Sequence, residues 1–164
     1  MTASVVRLLA YPVELGMSTV EHVEDWMREF RLMDLSAGEG TSTHEVPARL
    51  RAMVEALTRR YASELSTPDR LRAAAAARGD ATVDLTYEVH PETEAAVVGW
   101  QRMLAEVDEY CRTEDLLTLQ RSPAQVRLQD WICEEFLRQL RGEPPRPWSA
   151  VSRPSLRTAT PAGT

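Results

Sequence analysis

The residues of this sequence that could bind a metal are three histidines, two cysteines and many carboxylates. The histidines, His22, His44 and His90, are widely separated in the chain. Glu21 and His22 are adjacent, so on a helix their side chains would diverge by about 100°. The Glu-x-x-His motif that di-iron bundles repeat on two helices is absent from the sequence. We therefore predict no metal site.

Nucleophilic or acid–base catalysis would need a nucleophile beside a base, or a pair of carboxylates in fixed positions. There is no G-x-S-x-G motif, and neither Cys111 nor Cys133 begins a predicted helix, where a thiolate would be stabilised. The carboxylates at 106–109 and 134–135 are typical of solvated helix faces. The glycines within 38–40 lack the lysine and the preceding strand of a phosphate loop. We predict no catalytic residue and no cofactor.

Charge and hydropathy limit the classes of partner. The formal charge of −6 divides into −9 over residues 1–143 and +3 over residues 144–164, and an acidic body argues against nucleic acid as the main partner. No window approaches the roughly 18 apolar residues that a membrane span needs, and no charged leader precedes a long apolar run. We expect a cytoplasmic protein without membrane contact, in which both cysteines pack as small apolar side chains.

The best-marked element is a helix near the C-terminus. Ser122 and Gln125 fit the S-x-x-Q capping box, Pro123 occupies the first helical position, and Gly142 follows the last apolar residue as a left-handed stop. An apolar stripe at three- and four-residue spacings joins Leu128, Trp131, Ile132, Phe136, Leu137 and Leu140. Because the stripe contains large aromatic side chains, we expect the other helices to pack against it.

Four further helices and two strands are predicted around this helix. Apolar spacing predicts helices over about 18–35 (with Ser18 and Glu21 as a capping box), 47–65, 67–79 (opened by Thr67 and Pro68) and 91–111, and a loop over 36–45. Strands are predicted over 5–10 and 81–89. The fold class is therefore mainly α (α+β), with about five helices and a small two-stranded sheet. We take the sheet as antiparallel, although the sequence allows either direction. Residues 1–148 form a single domain.

The C-terminal segment contains the candidates for binding a protein partner. Its PPRPW sequence at 144–148 is either a polyproline II segment that a partner recognises, or a proline stop with Trp148 folded back onto the domain. Arginine and aromatic side chains dominate binding hot spots. The candidate partner-binding residues are Arg138, Arg141, Arg146 and Trp148. Residues 149–164 have no apolar period and predict a disordered tail.

Four stretches of the chain resemble an uncharacterised actinobacterial family. They are VVRLLAYPVEL at 5–15, REFRLM at 28–33, DATVDLTYEVHPE at 80–92, and the run from YCRTEDLL to PRPW at 110–148. Members of that family are encoded beside histidine-kinase-like ATP-binding anti-sigma factors, antagonist domains and serine phosphatases. The resemblance implies a role in partner switching, with an anti-sigma factor or an antagonist as the partner. The chain lacks the ATP-binding box of the kinase-like neighbours, so it is not expected to be the kinase.

Three hypotheses about function follow. The first is a regulatory protein–protein interaction module of the kind that the resemblance implies. The alternative is a small-molecule sensor or an enzyme with a pocket between the helices, although ordinary core packing explains the same aromatic side chains. The pocket residues in that case are Trp26, Tyr61, Tyr87, Trp100 and Trp131. The third, compatible with the first, is a homodimer formed through an apolar face.

Overall fold

A computed structural model describes residues 4–37, 45–113 and 117–151, and it confirms the predicted mainly helical fold with a two-stranded antiparallel sheet. The elements are β1 (Ser4–Pro12), α1 (Val13–Ala37), α2 (Glu45–Arg60), α3 (Ala62–Arg78), β2 (Thr82–Val89), α4 (Thr93–Thr113), α5 (Pro123–Leu140) and the short α6 (Trp148–Val151). Most of the predicted loop, His44, and residues 152–164 of the predicted tail lie outside the described residues. Residues 149–151 belong to α6.

Helix α5 has the ends that its sequence predicts. The Ser122 hydroxyl accepts from the Gln125 N–H at 3.2 Å, and the Gln125 side-chain oxygen accepts from the Ser122 N–H at 2.8 Å, which completes the capping box. Gly142 has a φ of 86°, a left-handed conformation that glycine adopts without strain. The N–H groups of Gly142 and Glu143 satisfy the last carbonyls of the helix, those of Gln139 and Arg138.

A β-bulge decides which side chains of β1 face the helices. The strands pair from Ser4 with Val89 through Leu8 with Leu85, and the register then shifts before Tyr11. At the shift Ala10 has a φ of 53°, and its N–H donates to the Asp84 carboxylate at 2.7 Å. Strict alternation after Leu8 would bury residue 10, but the bulge buries Tyr11 instead.

Two predicted helix starts are wrong, those of α1 and α3. Helix α1 begins at Val13, directly after β1, and Ser18 lies inside it, where its carbonyl and hydroxyl oxygens accept from the Gln125 side-chain amide. The break between α2 and α3 falls at Tyr61 rather than before Pro68, and the Pro68 ring is buried within α3. Helix α4 begins at Thr93, after a short turn and two residues beyond the predicted start.

Two groups of buried side chains form the core. The sheet core joins both strands to α5 and comprises Val6, Leu8, Tyr11, Leu85, Tyr87, Val89, Leu128 and Trp131. The helix core joins α1, α2 and α4 and comprises Trp26, Met27, Phe30, Leu50, Met103, Leu104, Val107 and Cys111. Both groups contain large aromatic side chains that are fully buried. A cavity lined by residues of both strands and of α1 to α5 adjoins the two cores.

Candidate functional site: a cavity between the sheet and the helices

The cavity has a volume of about 410 Å³. Its floor is the inner face of the sheet, and its walls come from α1 to α5. The walls are mainly apolar, with Val20, Val23, Val54, Leu57, Leu65, Val97, Ile132 and Phe136. Glu24, Thr58 and Asp69 also line it and are exposed, so the cavity reaches the protein surface beside α1, α2 and α3. This volume and lining are typical of small-molecule sites.

The cavity contains three of the five aromatic residues predicted for a pocket. Tyr61, Tyr87 and Trp100 line it, whereas Trp26 and Trp131 do not. Those two tryptophans are fully buried in the helix core and the sheet core. Each indole N–H donates to a backbone carbonyl, that of Leu119 for Trp26 and that of Arg146 for Trp131. Both tryptophans therefore have structural roles.

The position of Tyr11 depends on a glycine that the sequence analysis did not select. The Tyr11 ring lies against the backbone of α1 at Gly16, and a Cβ atom at residue 16 would overlap the ring and its hydroxyl. Glycine is unfavourable in a helix interior, costing about 1 kcal/mol relative to alanine. The predicted helix begins at Ser18, so Gly16 lies outside it, and only the structure, in which α1 begins at Val13, places the glycine inside a helix. Gly16 and the β-bulge together place the Tyr11 side chain at the cavity.

Four polar side chains, which we name the cavity cluster, gather on the sheet side: Tyr11, Tyr87, Arg72 and Asp69. The Arg72 guanidinium lies beside the Tyr11 hydroxyl and forms an ion pair with Asp69 at 2.6 Å. It also interacts electrostatically with Tyr87. Burial raises the pKa of both tyrosines, and the nearby Arg72 offsets this rise only in part. Both phenols therefore stay protonated at neutral pH.

A buried hydroxyl without a partner also lines the cavity. Thr93, the first residue of α4, is 6% exposed, and its Oγ1 atom makes no hydrogen bond to any residue that the structure describes. A buried polar group costs about 1–3 kcal/mol when it is left unpaired. Such groups are rare in native structures, and a bound water or ligand is one explanation for them.

The remaining chemistry at the cavity is limited. Burial raises the pKa of Cys133, which lines the cavity, to about 11, and it raises that of Cys111 in the helix core to about 12. Both are buried free thiols, so neither is a thiolate at neutral pH. Among residues 4–37, 45–113 and 117–151, no three potential ligands come together to hold a metal ion. Within the same ranges, no helix combines the length and the apolar character needed to cross a membrane.

The four candidate partner-binding residues lie away from the cavity, and each of them contacts another part of the domain. Arg138 and Arg146 form ion pairs with the buried Glu135, and Arg141 pairs with Glu94 at 3.2 Å. Trp148 is half-buried and packs edge-on against Trp131, with 5.5 Å between the ring centroids. The folded-back form of the PPRPW segment is therefore the one adopted. Partner binding by these residues stays a prediction.

Comparison with known proteins adds no relative. No protein-family model, no curated protein and no solved structure matches the chain.

Proposed function

We propose that this protein binds a small, largely apolar molecule in the cavity between the sheet and the helices, and acts as its sensor. The observation that carries the proposal is the combination of a 410 Å³ cavity, mainly apolar walls and the unpartnered buried hydroxyl of Thr93. Because the cavity opens to the surface, its mainly apolar walls are exposed to water in the free protein. A ligand in the cavity would remove that apolar surface from water and could satisfy the hydroxyl, and its binding would stabilise the folded protein.

Binding can be tested with N-phenyl-1-naphthylamine, an uncharged probe whose fluorescence rises in apolar surroundings. We expect saturable binding to the full chain at a stoichiometry near one. Val97→Phe should abolish or strongly weaken that binding, because it places a larger ring in the cavity that Val97 lines. The folded state should persist, which circular dichroism will show.

Val98→Phe is the matched control. Val98 is the next residue of α4 and carries the same side chain, but it is exposed and does not line the cavity. We expect this variant to bind the probe as the unmodified protein does. Equal binding by both phenylalanine variants, or no saturable binding by the unmodified protein, would contradict the proposed function.

A regulatory interaction with an anti-sigma factor or an antagonist protein, in the cytoplasm, is our second proposal. A group of exposed leucines favours it: Leu32 and Leu35 on α1, with Leu117 and Leu119 in the segment before α5. The Glu29 carboxylate accepts from the N–H groups of Leu117 and Thr118, which holds this segment beside α1. Exposed apolar patches of this kind are typical of protein-binding surfaces.

Calorimetry with a purified anti-sigma factor and a purified antagonist protein tests the second proposal. We expect Leu117→Glu to weaken binding and Leu71→Glu, an exposed leucine on α3, to leave it unchanged. Equal affinity of both variants would contradict the proposed surface. If Leu117→Glu instead converts a dimer into a monomer in sedimentation experiments, the occupant of the patch is a second copy of the chain.

A further inference from the structure

We infer that the ligand of the cavity carries an oxygen atom that accepts hydrogen bonds, a carbonyl or carboxylate head group, held by the hydroxyls of Tyr11 and Tyr87 beside Arg72. This inference rests on the proposed ligand-binding function and goes beyond it to the chemical class of the ligand.

The first support is that two buried phenol hydroxyls at the cavity can each donate a hydrogen bond. Tyr11 and Tyr87 are 3% and 7% exposed, line the cavity and come from different strands. The neighbouring Arg72 guanidinium can only donate, so the Tyr11 hydrogen is left for another acceptor. Among the described residues, none accepts a hydrogen bond from either phenol. Two buried phenol O–H groups therefore line the cavity, and neither donates its hydrogen to a described residue.

The second support is the charge balance of the cavity cluster. Asp69 compensates the charge of Arg72, so the cluster needs no anion for neutrality, although its donors suit either a carbonyl or a carboxylate oxygen. Because burial keeps both phenols protonated, the cluster offers donors and no phenolate to attract a cation. The Asp69 carboxylate is already paired with Arg72, so the cluster leaves no unpaired carboxylate for an amine, whereas its phenol hydrogens remain available to an oxygen acceptor. The cluster thus selects an oxygen acceptor over an amine.

The third support is the apolar surface next to the cluster. Phe136 packs against the Tyr87 ring with 5.1 Å between centroids, and Leu65 and Ile132 continue the apolar wall. The body of the ligand would lie on this wall while its oxygen reaches the phenols. A neutral or acidic molecule with one polar end and an aliphatic or aromatic body fits this arrangement.

Displacement of the naphthylamine probe from the full chain tests the head group. The competitors are decanoate, 2-undecanone, decylamine and decanol, each used below its micelle concentration. We expect decanoate or 2-undecanone to bind at least tenfold more tightly than decylamine. If Arg72→Gln weakens the binding of decanoate more than that of 2-undecanone, the head group is a carboxylate. If it weakens the binding of both equally, the head group is a carbonyl.

Phenylalanine substitutions test the two hydroxyls. Tyr11→Phe and Tyr87→Phe should each weaken the preferred competitor about tenfold, the size expected when one hydrogen bond is lost in an apolar cavity, with little change in probe affinity. Tyr61→Phe is the control, because Tyr61 also lines the cavity but lies outside the cavity cluster, with the Arg60 guanidinium over its ring at 5.6 Å from the centroid.

The four competitors can be compared on the unmodified protein, so the inference remains testable if a tyrosine variant fails to fold. Decylamine that competes as well as the oxygen compounds would overturn the inference. So would Tyr11→Phe and Tyr87→Phe variants that leave every competitor unchanged while the probe still binds. Loss of probe binding by the unmodified protein refutes the proposed function itself, so the two failures are distinguishable.

Discussion

Two clusters built around arginine differ in how their polar atoms are paired. In the C-terminal ion cluster, formed by Glu135, Arg138, Gln139 and Arg146, the fully buried Glu135 accepts four hydrogen bonds from its three neighbours. In the cavity cluster, Arg72 pairs with Asp69 and lies beside Tyr11, but neither phenol donates its hydrogen to a described residue.

The difference distinguishes a structural cluster from a binding site. The C-terminal ion cluster joins α5 to the segment before α6, and Gln139 also exchanges hydrogen bonds with the backbone of Arg7 in β1. Its acceptors are all used within the protein, so it has little left with which to bind another molecule. The cavity cluster keeps unused donors next to open volume, and unused donors at a cavity are what a ligand can bind.

The largest expected effect is at Glu135. Glu135→Ala removes a fully buried acceptor of four hydrogen bonds and should lower the free energy of unfolding by about 2–4 kcal/mol, because its donors, which include the Arg146 backbone N–H, lose their partner. Urea denaturation followed by circular dichroism measures this. Glu134→Ala is the control, since Glu134 is largely exposed and should cost less than about 1 kcal/mol. Equal losses for the two variants would mean that the buried Glu135 contributes no more to stability than an exposed carboxylate does.

Glu135 should also make the stability of the protein depend on pH. Burial alone would raise the pKa of Glu135, but hydrogen bonds from the Arg146 backbone and side chain, from Gln139 and from Arg138 outweigh it and hold that pKa below the usual value. Its stabilisation is therefore complete above the unfolded-state pKa and is lost as pH falls through the folded-state pKa. Denaturation midpoints measured between pH 6 and pH 3 should fall less steeply for Glu135→Gln than for the unmodified protein. Parallel curves would contradict this.

A smaller effect is expected at the glycine beneath Tyr11. Gly16→Ala places a Cβ atom where the Tyr11 ring lies, so we expect a loss of about 1–3 kcal/mol from overpacking. The displaced phenol should also reduce the preference for oxygen acceptors. The double variant Tyr11→Phe/Gly16→Ala should lose no more of that preference than Tyr11→Phe alone, because Gly16 acts through the Tyr11 hydroxyl. An unchanged free energy of unfolding in Gly16→Ala would show that the Tyr11 ring does not lie against Gly16 in solution.

The smallest effect should have the opposite sign. Thr93→Val replaces a buried, unpartnered hydroxyl by a methyl group, so the ligand-free protein should gain about 1 kcal/mol in stability. Thermal melting measures the gain, and Thr93→Ser, which keeps the hydroxyl, is the control. A loss of stability in the valine variant would mean that ordered water satisfies Thr93 in the free protein.

Local signals in the sequence predicted α5 and both strands well. The capping box of Ser122 and Gln125, Pro123 in the first turn and the left-handed Gly142 all act within a few residues of the helix ends. The Thr67-Pro68 pair and Ser18 gave equally clear local signals, yet neither begins a helix. Tertiary packing buries Pro68 and engages Ser18 with Gln125, and these distant contacts override the local preference.

The aromatic pocket was predicted only in part for a similar reason. Composition selects tryptophans and tyrosines, but it does not separate those that fill a core, such as Trp26 and Trp131, from those beside a cavity, such as Trp100. The C-terminal arginines were selected by type and terminal position. Their partners Glu135 and Glu94 could be found only once the helices were placed.

The sequence by itself determined the helical class, the two strands and the caps of α5, because apolar period and capping chemistry operate over a few residues. The tertiary structure decided which polar groups meet at the cavity. Tyr11 reaches it through a bulge in β1 and the absence of a side chain at Gly16, and Arg72 arrives from a helix some sixty residues further along the chain. Such a convergence depends on contacts between distant segments, which no local pattern records.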